Sequence, residues 1–235
     1  LYDRSSDPQI DMSSIDTLVT DPNAFFRDRS ERPSWKGPVL IVTFIAVLGV
    51  VSSIVQFRAT ADLYTQMFAD AGEGAEAAGT IFQVFQVVGM VIGFVVNYVV
   101  WVLIAAFFYV VSLVFDGTGE FATTLKLVGW GLVPSVVGSV FSLFITVYRY
   151  EIEGVTVPTE VTQESMQQFS QQISGGPLAA LTGVLGIVFT LWSGVLWTFA
   201  MKHARQLTTR NAAITVALPV LVGIVVSLWS IINAL

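Results

Sequence analysis

The chain has 235 residues, 54% hydrophobic and 12% charged, with a net charge of −6 and a mean hydropathy of +0.73. Such a composition leaves too little polar surface for a water-soluble globule, and an acidic balance with three lysines (Lys36, Lys126, Lys202) among eleven basic residues argues against a nucleic-acid partner. With no cysteine and one histidine, disulfide frameworks, thiol catalysis and thiolate metal sites are excluded.

Residues 1–36 read as a polar N-terminal arm. The chain opens on Leu1 rather than methionine, so residues upstream are expected. No apolar run precedes the first span, so the arm does not read as a signal peptide. DPNAFF at 21–26 predicts a juxtamembrane helix, because Asp21 can cap free backbone N–H groups and Pro22 suits a first turn. Phe25 and Phe26 are then expected to press toward the membrane surface. RDRSER, which follows, reads as a solvated, headgroup-facing run, with partner docking as the alternative.

Residues 37–235 form the membrane domain. A bilayer core of about 30 Å takes roughly 20 apolar residues per helix, and five uncharged stretches qualify: 38–57, 81–115, 128–148, 178–201 and 212–235. The fold class is therefore all-α, an integral membrane bundle of five transmembrane helices with short interfacial helices. Two segments between spans, at 62–68 and 160–174, carry Leu63/Met67, Tyr64/Phe68 and Phe169/Ile173 at helical spacings. They are expected to lie in the interface or to pack on the outer ends of the bundle.

The second stretch would be about 52 Å long as one helix, so it either projects from the membrane or bends near Gly89 and Gly93. Gly89, Gly93 and Asn97 share one helix face. Gly131/Ser135/Ser139, Gly186/Thr190/Gly194 and Gly223/Ser227 repeat the pattern. Small residues at this spacing let helices approach closely, and Asn97 is expected to seek a hydrogen bond across a helix interface.

Basic residues orient the bundle. Arg4, Arg27, Arg29, Arg32, Lys36, Lys126, Lys202, Arg205 and Arg210 fall on one side of five alternating crossings, and Arg58 and Arg149 on the other. The rule that basic flanks stay inside places the N-terminus in the cytoplasm and the C-terminus outside.

No Asp, Glu, Lys, Arg or His lies within a predicted span, which leaves no proton relay and no paired acids at membrane depth. Ser193 has no base near it, since His203 lies beyond the fourth span at headgroup level. No P-loop, dinucleotide fingerprint or metal-ligand cluster occurs. The expectation is a non-enzyme without cofactor or metal.

The most specific local feature is DGTGEFATTLKLVGWGLVPSVVG at 116–138. Asp116, Gly117 and Gly119 should end the second span and turn the chain, glycine accepting left-handed conformations. Phe121, Leu125 and Val128 suggest a short helix along the membrane face with Lys126 at the headgroups. Pro134 is expected to kink the third span one turn in, leaving the Trp130 carbonyl without its donor. The alternative reading of the block is a docking surface built from Asp116, Glu120 and Lys126.

Taken together, DPNAFF before the first span, five spans, F-x-G-x-G-x-F-x-x-T-L (Phe115, Gly117, Gly119, Phe121, Thr124, Leu125) and G-W-G-x-x-P (Gly129, Trp130, Gly131, Pro134) resemble the Yip family of Ypt/Rab-interacting membrane proteins. The chain looks most like its prokaryotic branch, of the kind found in halophilic archaea. The resemblance implies a multi-pass, non-enzymatic protein of the cytoplasmic membrane, associated with membrane organisation or with a protein partner. The expectation is a partner-binding or scaffold component, as a homo-oligomer or beside another membrane protein. The competing expectation is a small-solute transporter or channel, motivated by Gln83, Gln86, Asn97, Pro134 and Pro219.

Overall fold

A computed structural model describes residues 12–69, 74–155, 158 and 162–234. Every regular element among them is helical: α1 (Met12–Thr20), α2 (Pro22–Glu31), α3 (Lys36–Ala69), α4 (Ala75–Leu113), α5 (Phe121–Trp130), α6 (Val133–Val147) with a π-helical extension (Tyr148–Gly154), α7 (Gln163–Ser174), α8 (Gly176–Ala204) and α9 (Thr209–Ala234). Five of these are long and apolar enough to cross a membrane: Lys36–Ala61, Ala77–Leu113, Val133–Gly154, Gly176–Ala204 and Thr209–Ala234. Helices meet their backbone hydrogen bonds internally, which a hydrocarbon solvent demands.

The second span is one unbroken helix. At 39 residues, α4 is about 58 Å long and runs past a bilayer core. Gly89 and Gly93 do not interrupt it, since a glycine keeps its backbone N–H and can continue the hydrogen-bond ladder. The side chains of 62–69 lie outside the described residues, and with them the pairs Leu63/Met67 and Tyr64/Phe68.

The third span departs from its expected start. Residues 128–130 belong to α5, a separate ten-residue helix, and α6 begins at Val133. Pro134 therefore sits in the first turn of α6, where no backbone donor is required, and marks a helix start rather than a kink inside a span. A turn joins the two helices, with Gly131 N donating to Val128 O at 3.0 Å and Leu132 N to Gly129 O at 3.2 Å.

α5 packs one side into the bundle and leaves Phe121, Ala122, Thr123 and Lys126 half-buried on the other. Thr124, Leu125, Leu127, Val128, Gly129 and Trp130 are all buried. Two indoles hold the helix from inside the bundle: Trp101 Nε1 donates to Leu125 O at 3.0 Å and Trp197 Nε1 to Val128 O at 3.1 Å. Val128 O already accepts from Gly131 N, so the indole there is a second donor to a carbonyl that has two lone pairs. Gly129 and Gly131 make this approach possible, because a Cβ on either would lie within 3.1 Å of the Trp101 or Trp197 ring.

α8 and α9 form an antiparallel hairpin whose seam is built from small residues. A Cβ on Gly186 would meet Ser227 Oγ at 2.8 Å, one on Gly194 would meet Val220 at 2.9 Å, and one on Gly223 would meet Thr190 at 2.9 Å. Ser135 and Ser139 lie on α6, where Ser139 Oγ donates to Ser135 O at 2.8 Å.

The apolar face of α2 is docked on the bundle, while Arg27, Asp28, Glu31 and Arg32 of RDRSER stay exposed, as a solvated run should. Asp21 caps α2 by accepting from Ala24 N at 3.0 Å. Phe25 and Phe26 are buried with Leu18 against Leu127, Trp130, Leu196 and Ala200, so they meet α5 and α8 instead of the membrane surface. Trp130 explains the difference: its ring lies 5.1 Å from that of Phe25, edge to face, and offers the arm an apolar socket made by protein.

Candidate functional site

The residues singled out between the second and third spans converge at one end of the bundle. α4 stops where Gly117 N turns back to Ser112 O at 3.0 Å, and Asp116 takes the left-handed conformation at φ 55°. The left-handed position expected of Gly117 thus falls on Asp116, one residue earlier. An aspartate tolerates it because its short polar side chain does not crowd the backbone as a branched one would. Gly119 is also left-handed, at φ 104°. A Cβ there would stand 2.6 Å from Ala204 O, and one on Gly117 would stand 2.8 Å from Ser112 O. Both glycines are demanded by close approach of backbone.

What approaches is the end of α8. Arg205 follows its last residue, is 1% exposed, and turns its side chain into the loop. Its Nε donates to Ser112 Oγ at 2.8 Å, and its two terminal nitrogens donate to the carbonyls of Gly117 and Gly119. The guanidinium carbon lies 4.1 Å from the centre of the Tyr109 ring, and Thr118 N donates back to Arg205 O at 3.0 Å.

A buried cation is costly unless its donors are met. Here the compensation is neutral: one hydroxyl, two backbone carbonyls and an aromatic face take the place of a carboxylate. The F-x-G-x-G-x-F stretch is thus the socket for an arginine eighty-six residues later in the chain. Phe121 closes the same site, its ring 5.5 Å from that of Tyr109, edge to face.

Around this clamp the polar residues divide. Asp116 and Glu120 are exposed on the held loop. Lys126 does not join them, because its Nζ lies 4.7 Å from the centre of the Trp35 ring at the start of the first span. The three expected docking residues therefore form an acidic pair and a separate cation–π contact. On the arm, Arg29 lies over Trp130 and Phe25, at 4.9 and 5.3 Å from their centres, and burial lowers its pKa from the ordinary arginine value. Asn23 Oδ1 accepts from Lys202 Nζ at 2.8 Å and lies 3.0 Å from His203 Nε2, tying α2 to the end of α8.

Sequence reasoning missed Arg205, Arg29, Asn23 and the two indole donors. In KHARQ, Arg205 reads as one more basic flank, and nothing in its spacing separates it from Lys202. Its partners assemble only when the end of α8 meets the end of α4 and the loop that follows it.

Gly89, Gly93 and Asn97 lie elsewhere, and the structure does not bring a helix to them. A Cβ on either glycine would meet nothing within 4 Å, and Asn97 Nδ2 donates within its own helix, to Gly93 O at 2.8 Å. The α3–α4 interface uses Tyr98 instead, whose hydroxyl lies 2.7 Å from Thr43 Oγ1. The glycine face lines a cavity of about 480 Å³ between α3 and α4, covered by Tyr150, Phe169 and Ile173.

Among the described residues no three His, Cys, Asp or Glu side chains come together as a metal site, and Ser193 is buried, lining a second cavity of about 320 Å³ between α6, α8 and α9. What the clamp can do chemically is hold a loop rigid at the surface with two carboxylates free to pair.

The Yip1 domain family matches residues 15–231. An uncharacterized protein of Methanocaldococcus jannaschii is 27% identical over 142 residues, covering 60% of this chain and 93% of the archaeal protein. No solved structure matches.

Proposed function

The chain belongs to the Yip1 domain family, and from that premise we propose that it is a non-enzymatic, partner-binding or scaffold component of the cytoplasmic membrane of a prokaryote. The arm-bearing face is the cytoplasmic one, by the distribution of basic residues. The partner is a second membrane protein or another copy of the chain, bound through a cationic segment. The acidic, lysine-poor composition supports a salt-adapted host.

One observation carries this reading. The buried Arg205 spends its donors on the 117–119 backbone and leaves Asp116 and Glu120 exposed on a loop that is already ordered. A preorganised loop loses little further freedom when a partner binds, which is how binding surfaces gain affinity and specificity. A nucleophilic role for Ser112 would need a base beside it, whereas its hydroxyl donates to Tyr109 O at 2.6 Å and accepts from Arg205 Nε.

Purification from native membrane in mild detergent tests the proposal. A stoichiometric partner or homo-oligomer is expected, lost in Asp116→Asn/Glu120→Gln while the protein stays monodisperse and helical. Clean monomer from the unaltered chain sinks it.

Solute transport is the competing reading, and the cavity between α3 and α4 is the observation that favours it. Flux across a solute panel in reconstituted vesicles decides: saturable uptake would establish it, and its absence leaves the scaffold.

A further inference from the structure

The cavity between α3 and α4 has a lining of unusual chemistry for a membrane span. Gln56, Gln86 and Asn97 contribute amides, Ser53 and Thr60 contribute hydroxyls, and no charged side chain is present among the described residues that line it. Ser53 Oγ donates to Gly49 O at 2.9 Å and Thr60 Oγ to Gln56 O at 2.8 Å. Both hydroxyls thus face the cavity as acceptors. The amides of Gln56 and Gln86 have no hydrogen-bond partner among the described residues, so their N–H groups stand as donors.

Depth places these groups in the bilayer. At 1.5 Å per residue, Gly49 lies about 20 Å along α3 from Lys36 and Gln56 about 30 Å. Counted back from Leu113 at the same rise, Asn97 lies about 24 Å along α4 and Gln86 about 40 Å. Against a hydrocarbon core of about 30 Å, Gly49 and Asn97 stand within the apolar layer, Gln56 and Gly93 at its boundary opposite the N-terminal arm, and Gly89 and Gln86 about 6 and 10 Å further out along α4. Gln56 is exposed and Gln86 half-buried, so their amides stand free to donate to something polar at the interface.

Three features restrict what that is. The floor is Gly49, Gly89 and Gly93, where an added Cβ would meet nothing within 4 Å, so width has been left for a chain. Val88, Val91, Ile92 and Val95 stand exposed along the adjoining stretch of α4, as a lipid-facing surface does. The absence of charge among the lining groups gives an ionised headgroup no counter-ion, whereas ester or ether oxygens would accept from the glutamines and a glycerol hydroxyl would donate to Ser53 or Thr60.

We propose that this cleft binds a membrane lipid of the leaflet opposite the N-terminal arm, holding an uncharged glycerol neck between Gln56 and Gln86 and laying one chain along the Gly89/Gly93 face. The site is independent of the cytoplasmic clamp.

The test uses the full chain in phosphatidylcholine nanodiscs carrying a small fraction of photoactivatable diacylglycerol, with adducts located by peptide mass spectrometry. Adducts should concentrate on Val50, Phe57 and Met90, be competed by unlabelled diacylglycerol, and resist competition by phosphatidylglycerol. Gly89→Leu/Gly93→Leu should reduce them to the level of the other lipid-facing helices. If the leucine pair does not yield monodisperse protein, Gln86→Leu decides, with competition weakened roughly three- to tenfold by loss of one hydrogen bond. Adducts spread evenly over all exposed helix faces, or unaltered by the variants, overturn the proposal. Equal competition by phosphatidylglycerol overturns it too, and competition by free glycerol at the same concentration assigns the cleft to a water-soluble solute instead.

Discussion

Arg205 Nε donates to Ser112 Oγ at 2.8 Å across ninety-three residues of chain, and through that contact the end of the fourth span organises the exit of the second. Removing the guanidinium takes the side-chain donor from the carbonyls of Gly117 and Gly119 and from the Ser112 hydroxyl, which keeps only its own bond to Tyr109 O. Arg205→Met should therefore cost about 3–5 kcal/mol, from unmet acceptors together with lost packing. Arg205→Lys should recover little, because an ammonium cannot reach three divergent acceptors while lying flat on Tyr109. Thermal unfolding in detergent measures both, and limited proteolysis should cut 114–120 in the variants alone.

Glycine substitutions should divide by neighbourhood. Gly119→Ala combines a left-handed φ with a Cβ 2.6 Å from Ala204 O and should cost about 2 kcal/mol or more. Gly93→Ala meets nothing within 4 Å, and alanine is the better helix former by up to about 1 kcal/mol. Its melting temperature should be unchanged or raised. A loss there equal to that at Gly119 would show a helix packed on the open face.

Docking of the arm rests on Phe26, which is 0% exposed. With no native cysteine in the chain, a single reporter at Leu18→Cys should be protected from thiol reagents. Adding Phe26→Ala removes about 3–5 kcal/mol of buried contact and should expose the reporter without unfolding the spans, as judged by unchanged helical circular dichroism. Protection that survives the alanine would mean that Leu18 is held by something other than the α2 socket.

Orientation can be checked with two exposed positions at opposite ends of the bundle. Gln168→Cys on α7 should react with a membrane-impermeant maleimide in intact cells, and Thr118→Cys in the clamp loop only after permeabilisation. The reverse pattern would invert the topology and place Asp116 and Glu120 outside.

How much of this was legible in the chain depends on whether the signal is local. Run lengths of apolar residues predict five helices because each must cross the same thickness of hydrocarbon. The cap at Asp21 and the helix start at Pro134 use rules that operate within one turn, although Pro134 reads as a kink because residues 128–130, which end α5, continue the apolar run of α6. Spacing alone could not separate Gly186 and Gly194, which meet α9, from Gly89 and Gly93, which meet no helix. The four glycines carry the same local pattern and differ only in what arrives from elsewhere in the chain.

By itself, then, the sequence determined the solvent, the number of crossings, the bias of charge and the family motif, because these follow from composition and from contacts a few residues apart. Only the tertiary structure decided that Gly117 and Gly119 receive Arg205, that Phe25 and Phe26 meet Trp130 in place of lipid, and that α5 is buried under two indoles. Those arrangements rest on donors and acceptors dozens of residues apart, and their free energies exist only once folding has removed the water that would otherwise satisfy each group separately.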